Sequence, residues 1–231
     1  MDPLFQNRAA AGQALGQRLM PYAGRSDVLV LAVPRGGVPV AYAVAGALDA
    51  ALDVFLVRKL GLPAEPELAM GAIASGGVSV LNDDLVRELA IPPAVIERVA
   101  RQELAELERR ENAYRGGRPP LNVAGRTVIV VDDGLATGAT VRAAVLALRR
   151  QQPARIVVAV PVAAGAACAE LRAIVEAVVC LHTPTPFSGV GRWYADFAAT
   201  SDAEVRDLLR RAAQQHPASV RSLQCPSSHG G

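Results

Sequence analysis

The sequence predicts an α/β fold built on a doubly wound parallel sheet flanked by helices. Short, continuous runs of aliphatic and β-branched residues recur at 28–31 and 128–131, and such runs are typical of parallel strands buried on both faces. Most of these runs lead into a turn of small residues and then into helical spacing, which is the order of βα units. In such a sheet, ligands bind beyond the carboxyl ends of the strands, where the strand order reverses.

The first half of the chain contains the less regular elements. A helix is predicted at 8–20, a strand at 27–33, a turn at 34–37, a helix at 38–48, a strand at 52–57 and a Gly/Pro-containing loop at 58–66. Residues 68–82 read as a weak β-hairpin turning at Gly76-Gly77. A short helix at 83–89 and a long charged helix at 93–114 follow, the latter entered through Pro92-Pro93.

The second half is a regular alternation of strands and helices. Strands are predicted at 127–131, 154–160 and 177–181, and helices at 141–150, 165–174 and 202–214. We expect a single domain over 1–214, with the hairpin and long helix of 68–120 as an insertion and 182–197 as a hood loop. Residues 215–231 are polar and rich in Ser, Pro and Gly, so we predict a disordered tail.

Composition excludes several functional classes. Of 231 residues, 51% are hydrophobic and 20% charged, as in globular domains, and the net charge of +2 does not point to a nucleic-acid surface. No apolar run approaches the roughly 18 residues of a membrane span, and no secretion signal is visible. The three cysteines lack C-x-x-C spacing, so Cys168 and Cys180 are predicted to be small buried residues. We therefore expect a cytoplasmic protein with neither membrane nor nucleic-acid partners.

Residues 127–140, TVIVVDDGLATGAT, form the most informative segment. An apolar strand ends in Asp132 and Asp133, and a Gly/Thr turn then leads into a helix. Free N–H groups of the turn and the helix N-terminus favour an anion, while the two acids can accept hydrogen bonds from sugar hydroxyls. A P-loop is excluded because its Lys is missing, and the dinucleotide fingerprint is excluded because the acids precede the glycines. The pattern fits a ribose 5-phosphate.

This segment closely resembles the 5-phosphoribosyl-1-pyrophosphate (PRPP) loop of the type I phosphoribosyltransferases. The segments PRGG, VRKLG and PFSGVGRWYADF add to the likeness, and most of residues 1–210 resembles a group of bacterial phosphoribosyltransferases of unassigned acceptor. The resemblance implies a Mg²⁺-dependent enzyme that transfers phosphoribose from PRPP to a small nitrogen base and releases pyrophosphate. It also implies that a homodimer is a common assembly.

By this resemblance, the 5-phosphate would be held by the turn that follows the acid pair. Its members are Gly134, Leu135, Ala136, Thr137, Gly138, Ala139 and Thr140. Asp132 and Asp133 would bind the ribose hydroxyls and favour the positive charge that develops on the sugar. Mg²⁺ would lie near both acids through PRPP oxygens and water, and direct protein ligation is not expected.

Basic loops are expected to complete the donor site. Arg35, Gly36 and Gly37 resemble the family's pyrophosphate loop, in which a non-proline cis peptide at or beside Arg35 is expected. Arg58 and Lys59 resemble the Arg-Lys pair of the mobile catalytic loop, and Lys59 is the one Lys among 24 basic residues. Glu67 in that loop is a candidate proton donor or base, although a solvated loop acid is an equally good interpretation.

The acceptor is less constrained. Ala136 stands where 6-oxopurine-specific members carry a third Asp, which disfavours hypoxanthine- or guanine-type use and leaves adenine-type and orotate-type use open. Phe187 or Trp193 of the hood loop could stack on a planar base, and core packing of Trp193 is the alternative.

Two other functions remain open beside the enzyme. A PRPP- or nucleotide-sensing regulator would keep the fold and the motif with little turnover, but it has less need of Arg58 and Lys59. A related protein of DNA uptake would usually carry a cysteine-rich metal module, which this sequence lacks.

Overall fold

The central feature of the protein is a five-stranded parallel sheet, which confirms the predicted fold class. The computed structural model describes residues 2–65, 68–116, 118 and 121–215. The five strands lie in the order β2-β1-β6-β7-β8. They are β1 (Val28–Ala32), β2 (Ala51–Val54), β6 (Thr127–Val131), β7 (Arg155–Val162) and β8 (Ala177–His182).

Helices cover both faces of this sheet because successive strand residues point to opposite sides. In β6, Ile129 and Val131 pack with α1 (Arg8–Arg18), α2 (Gly37–Leu48), α4 (Pro93–Arg115) and α7 (Asp202–Gln215). Val128 and Val130 point the other way, towards α5 (Ala139–Arg150) and α6 (Gly165–Arg172). All four strand residues are fully buried.

A second, antiparallel sheet of three strands was predicted only in part. Its order is β3-β4-β5, with β3 (Val57–Gly61), β4 (Ala69–Ala74) and β5 (Val78–Leu81), and α3 (Asp83–Glu88) follows it. The hairpin of β4 and β5 turns at Gly76 and Gly77, both at positive φ, as predicted.

The predicted loop at 58–66 is wrong for its first residues. Strand β3 runs through Arg58 and Lys59 and pairs with β4, where Arg58 faces Ile73 and Lys59 faces Ala72. The nearby Gly61 and Pro63 suggest a loop, whereas the partner strand that extends this segment comes later in the chain. Non-local pairing therefore decided the structure here.

A buried ion pair anchors the end of α4 to the central sheet. Arg115 donates from Nε to both carboxylate oxygens of Asp53 in β2, at 3.2 and 3.3 Å. Their side chains are only 5% and 2% exposed, and the Val54 N–H donates to the same carboxylate at 2.8 Å. A buried charge needs such compensation, so this contact fixes the insertion against the core.

The N-terminal segment and the hood loop are joined by backbone hydrogen bonds. The N–H groups of Leu4 and Phe5 donate to the carbonyl of Trp193, and the Ala195 N–H donates back to the carbonyl of Phe5 at 2.9 Å. Phe5, Trp193 and Tyr194 pack into a small apolar cluster at this contact. The start of the chain is thereby brought to the same edge of the sheet as the predicted site.

Two further predictions can be compared with the structure. Cys168 is buried as predicted, while Cys180 is only partly buried. None of the helices in the described ranges combines the length and apolar character that a membrane crossing requires. The predicted tail falls almost entirely at 216–231, outside the described residues.

Candidate active site

The site lies where the strand order of the central sheet reverses. From β1, the chain proceeds to β2 on one side, while β6 lies on the other side and leads outward to β7 and β8. The turn 34–37 leaves the carboxyl end of β1, and the turn 132–138 leaves that of β6. Such a point is the usual ligand crevice of an open parallel sheet.

The two turns are in direct contact. A Cβ atom built on Gly36 would lie 2.1 Å from Oδ2 of Asp133, and one on Gly37 would lie 2.7 Å from the carbonyl oxygen of Val131. Only glycine permits this approach. The peptide between Pro34 and Arg35 is cis, as expected for a turn of this kind.

The acid pair is held in a desolvated and mutually repulsive arrangement. Burial raises the pKa of Asp132 well above its ordinary value, and the neighbouring Asp133 carboxylate raises it further. Burial also raises the pKa of Asp133, although its hydrogen bond from Arg8 opposes the rise. Asp132 Oδ1 accepts the N–H of Asp133 at 2.8 Å. Perturbed acids in a crevice are typical of functional sites.

Arg8 is the cation that contacts this pair. Its Nε donates to Asp133 Oδ2 at 2.8 Å, and its Nη1 donates to the carbonyl of Ala198 at 2.6 Å. The guanidinium carbon lies 3.9 Å from the centre of the Phe197 ring. From the other side, the hydroxyl of Tyr194 donates to the backbone carbonyl of Asp133 at 2.6 Å. Residues of the hood loop and of the N-terminal region therefore both hydrogen-bond to Asp133.

The turn after the acids presents an open set of donors. Gly138 has φ +73° and is the N-cap of α5, and the first N–H groups of that helix have no helical acceptor. Thr137 and Thr140 are exposed at this end. In the described part of the chain, the N–H groups of Ala136, Thr137, Gly138 and Thr140 have no backbone acceptor. These donors and the helix dipole together favour an anion.

Leu135 and Gly134 differ from the rest of this turn. The N–H of Leu135 donates to the carbonyl of Val162 at 3.0 Å, and its side chain is 2% exposed. Its assignment to the phosphate cradle is therefore corrected, because its donor is already used. A Cβ on Gly134 would lie 2.6 Å from Val190 Cγ1, so this glycine permits close packing of the hood loop.

Arg35 lies at the mouth of the crevice. Its side chain is 52% exposed, and Nη1 is 3.6 Å from Asp202 Oδ1 at the start of α7. Asp202 also accepts a 2.7 Å hydrogen bond from the Tyr114 hydroxyl, while burial raises the pKa of Tyr114 to about 12. An exposed ion pair of this kind is weak, so Arg35 is available to an anionic ligand.

Arg58 and Lys59 lie on β3, beside a groove that separates them from α4. The groove has a volume of about 830 Å³ and is lined also by Arg98, Gln102 and Glu103. The guanidinium of Arg58 donates to the carboxylate of Glu103. No residue of the turns 34–37 and 132–138 lines this groove.

Of the two candidate base-stacking residues, only Phe187 is accessible. Trp193 is 3% exposed and packs with Phe5, Val162 and Tyr194, so its predicted role as a stacking surface is corrected to core packing. Phe187 is partly buried, with its ring 6.4 Å from that of Trp193. Glu67, the candidate proton donor, lies outside the described residues.

The sequence interpretation missed Arg8, Tyr194 and Phe197 as site residues. A cluster of aromatic residues in the hood loop was the available signal for the last two. Arg8 gave no local signal, because its partner Asp133 is 125 residues away in the chain.

The metal-binding capacity of the site can be judged for the described residues. Among the described residues, no group of three or more His, Cys, Asp or Glu side chains is arranged to hold a metal ion. The partly buried acid pair offers a negative potential, which Arg8 offsets by direct contact with one of the two carboxylates. A cation that arrives with its ligand and keeps its waters suits such a pair.

Comparisons with known proteins agree with this geometry. A model of the phosphoribosyl transferase domain matches residues 66–191, which is more than half of the chain. Two Mycobacterium tuberculosis proteins, from strains CDC 1551 / Oshkosh and ATCC 25618 / H37Rv, are each 47% identical over 209 residues. Each is named a "putative phosphoribosyl transferase". The aligned region covers 90% of this chain and 47% of each relative, so the chain spans about half the length of these proteins.

The crystal structure of TT1426 from Thermus thermophilus superposes with a TM-score of 0.80 at 42% identity. The match covers 90% of this chain and 98% of that one. With the domain match and the curated relatives, it shows that the chain belongs to the phosphoribosyl transferase family, a family of pentosyltransferases.

Proposed function

We propose that the protein transfers the 5-phosphoribosyl group of PRPP to a nitrogen of a small base and releases pyrophosphate, with Mg²⁺ as cofactor. The observation that carries the proposal is the contact between the two turns at the switch point. Gly36 lies against Asp133, so the proposed pyrophosphate turn and the ribose-binding acids border one crevice. The anion-binding end of α5 borders it as well.

The binding roles follow from the donors and acceptors available. The N–H groups of Ala136, Thr137, Gly138 and Thr140, with the two threonine hydroxyls, would hold the 5-phosphate, while the Ala139 N–H already donates to Thr137 Oγ1 at 3.4 Å. Asp132 and Asp133 would accept hydrogen bonds from the ribose hydroxyls. Arg35, with the backbone at Gly36 and Gly37, would face the pyrophosphate. This arrangement places a negative potential beside the sugar and positive groups at its two phosphate ends.

That potential suits the reaction. As the bond from the anomeric carbon to pyrophosphate lengthens, positive charge builds on the ribose ring and negative charge on the leaving group. The carboxylates of Asp132 and Asp133 would stabilise the positive charge on the ribose ring. Arg35 would stabilise the negative charge on the leaving pyrophosphate. Because the acids are already desolvated, they need little reorganisation when charge develops.

Mg²⁺ fits as a companion of the substrate. The described residues offer an acid pair and no complete cage, so Asp132 and Asp133 would hold the ion through water and PRPP oxygens. When bound, it would neutralise the leaving pyrophosphate.

Arg58 and Lys59 on β3 would have to move to take part in the proposed reaction. Arg58 is engaged by Glu103, and it must release that carboxylate to reach pyrophosphate. A shift of β3 with the adjoining loop would close the crevice and exclude water. Lys59 and Glu67 belong to the same proposed closing segment, Glu67 as the candidate acid or base.

The acceptor is proposed to bind below the hood loop. Phe187 is partly exposed there, whereas the more exposed Phe197 is stacked against Arg8, so Phe187 is the candidate to stack on a planar base. Ala136 offers no hydrogen-bond acceptor in the turn, which favours bases other than 6-oxopurines. A cytoplasmic location and a homodimer remain predictions.

Calorimetric titration with PRPP, with and without Mg²⁺, tests the donor, and a pyrophosphate-release screen over nucleobases tests the transfer. We expect Mg²⁺-dependent binding and release with one class of base. Binding with no release for any base would replace the enzyme by a PRPP-sensing regulator. An absence of binding would refute the donor assignment itself.

A further inference from the structure

We propose that Arg8 is a positioning residue that fixes the carboxylate of Asp133 for the ribose of the donor. The inference rests on the proposed function and extends it to a residue far from the recognised motifs. Arg8 is 125 residues from Asp133 in the chain and lies outside the matched family region.

Three contacts fix the plane of the Arg8 guanidinium. Nε donates to Asp133 Oδ2, Nη1 donates to the carbonyl of Ala198, and the ring of Phe197 lies 3.9 Å away against the cation. The side chain is 11% exposed. An arginine held on an aromatic face and by two acceptors is pre-organised, and a lysine cannot reproduce both features.

Asp133 is correspondingly restrained on every side but one. Its Oδ2 is occupied by Arg8 and lies against Gly36, while its backbone carbonyl accepts from Tyr194. Oδ1 receives no hydrogen bond from the described residues. The carboxylate is therefore prevented from rotating, and Oδ1 is the oxygen left to accept a ribose hydroxyl.

The position of Arg8 within its helix supports a tertiary role. Arg8 is the first residue of α1, directly after the N-cap Asn7, whose side chain accepts the N–H of Ala10. A cation at this end opposes the helix dipole and destabilises the helix slightly. Local helix stability therefore gives no reason for Arg here, whereas the contact with Asp133 does.

Charge balance gives a second reason. Two adjacent, partly buried carboxylates repel each other, and Arg8 is a cation that hydrogen-bonds to one of them, Asp133.

The test is the Kd for PRPP with Mg²⁺, measured by calorimetry for Arg8→Gln, Arg8→Lys and wild type. We expect about 10- to 100-fold weaker binding in Arg8→Gln, as for a lost charged hydrogen bond, and partial restoration in Arg8→Lys. Arg18→Gln is the matched control, since Arg18 is exposed at the other end of the same helix. It should bind like wild type.

Inorganic phosphate serves as a second probe, because the 134–140 turn should bind it without using Asp133. Its affinity should be unchanged in Arg8→Gln. Equal losses for phosphate and PRPP would show that Arg8 only supports the local structure, and wild-type PRPP affinity in Arg8→Gln would also overturn the inference.

If Arg8→Gln does not fold, the variant Phe197→Leu tests the inference instead. We expect its PRPP binding to be weakened about 2- to 5-fold through the lost stacking on Arg8, and unchanged binding would refute the inference. Failure of the wild-type protein to bind PRPP would instead refute the proposed function.

Discussion

Replacement of Asp132 by Asn tests whether the negative charge of Asp132 lowers the stability of the fold while it contributes to PRPP binding. Asn has nearly the same shape, and its side-chain oxygen can still accept the N–H of Asp133, which Asp132 Oδ1 accepts at 2.8 Å. The change removes only the charge. We expect the variant to be more stable than wild type near neutral pH and to bind PRPP much more weakly.

The sign follows from the raised pKa of Asp132, whose main cause is burial. Because the folded state holds this proton more tightly than the unfolded chain, stability falls as the pH rises from the ordinary value of about 3.9 towards the raised one. We therefore expect Asp132→Asn to have a higher Tm than wild type at pH 8. For a chain of this length, each 1 kcal/mol of added stability corresponds to roughly 2–4 °C in Tm.

Thermal unfolding followed by circular dichroism at pH 4, 6 and 8 measures this effect. The gain should shrink towards pH 4, where the folded carboxyl holds its proton and about half of the unfolded chains hold theirs. Asp133→Asn is the matched control, because it also removes the partner of Arg8 and should bring no comparable gain. A lower Tm of Asp132→Asn at pH 8, or a gain independent of pH, would refute the reasoning.

Three further predictions concern the crevice, the insertion and the metal. Gly36→Ala should weaken PRPP binding at least about 10-fold in calorimetry, because its Cβ would lie 2.1 Å from Asp133 Oδ2. Gly46→Ala, whose Cβ would meet nothing within 4 Å, should bind normally, and equal behaviour of the two would contradict the assigned contact. Arg115→Leu should lower the free energy of unfolding in urea by about 3 kcal/mol, since the buried carboxylate of Asp53 loses the cation that hydrogen-bonds to it and keeps the more distant Nη1 of Arg118, 4.0 Å away; a loss below about 1 kcal/mol would contradict this. Chelation of Mg²⁺ should abolish tight PRPP binding in calorimetry while leaving Tm unchanged, and undiminished affinity would remove Mg²⁺ from the proposal.

The central sheet could be predicted because its determinants are local. Continuous apolar runs such as 128–131 and the turns that follow them are readable from neighbouring residues alone. Strand β3 could not be read in this way, because its extended form depends on pairing with β4. The Asp53–Arg115 pair was equally invisible, since each member looks like an ordinary charged residue until the fold buries both.

In the candidate site, too, features set by neighbouring residues could be predicted, and features set by tertiary contacts could not. Asp132, Asp133 and the Gly/Thr turn are adjacent in sequence, so a role for them could be predicted from the pattern. Whether a residue of that turn uses its N–H elsewhere, as Leu135 does with Val162, depends on the neighbouring strand. The burial of Trp193 likewise depends on packing against Phe5, from the other end of the chain.

The hydrogen-bonded contact between the N-terminal segment and the hood loop affects where the boundaries of this domain can be placed. The family model spans 66–191, yet strand β1, the cis peptide turn and Arg8 all precede it, and the Tyr194 that holds Asp133 follows it. A fragment trimmed to the matched region would keep the acid-bearing turn and lose one wall of its crevice. The functional unit is thus wider than the region matched by the family model, and domain boundaries drawn from that model alone would divide it.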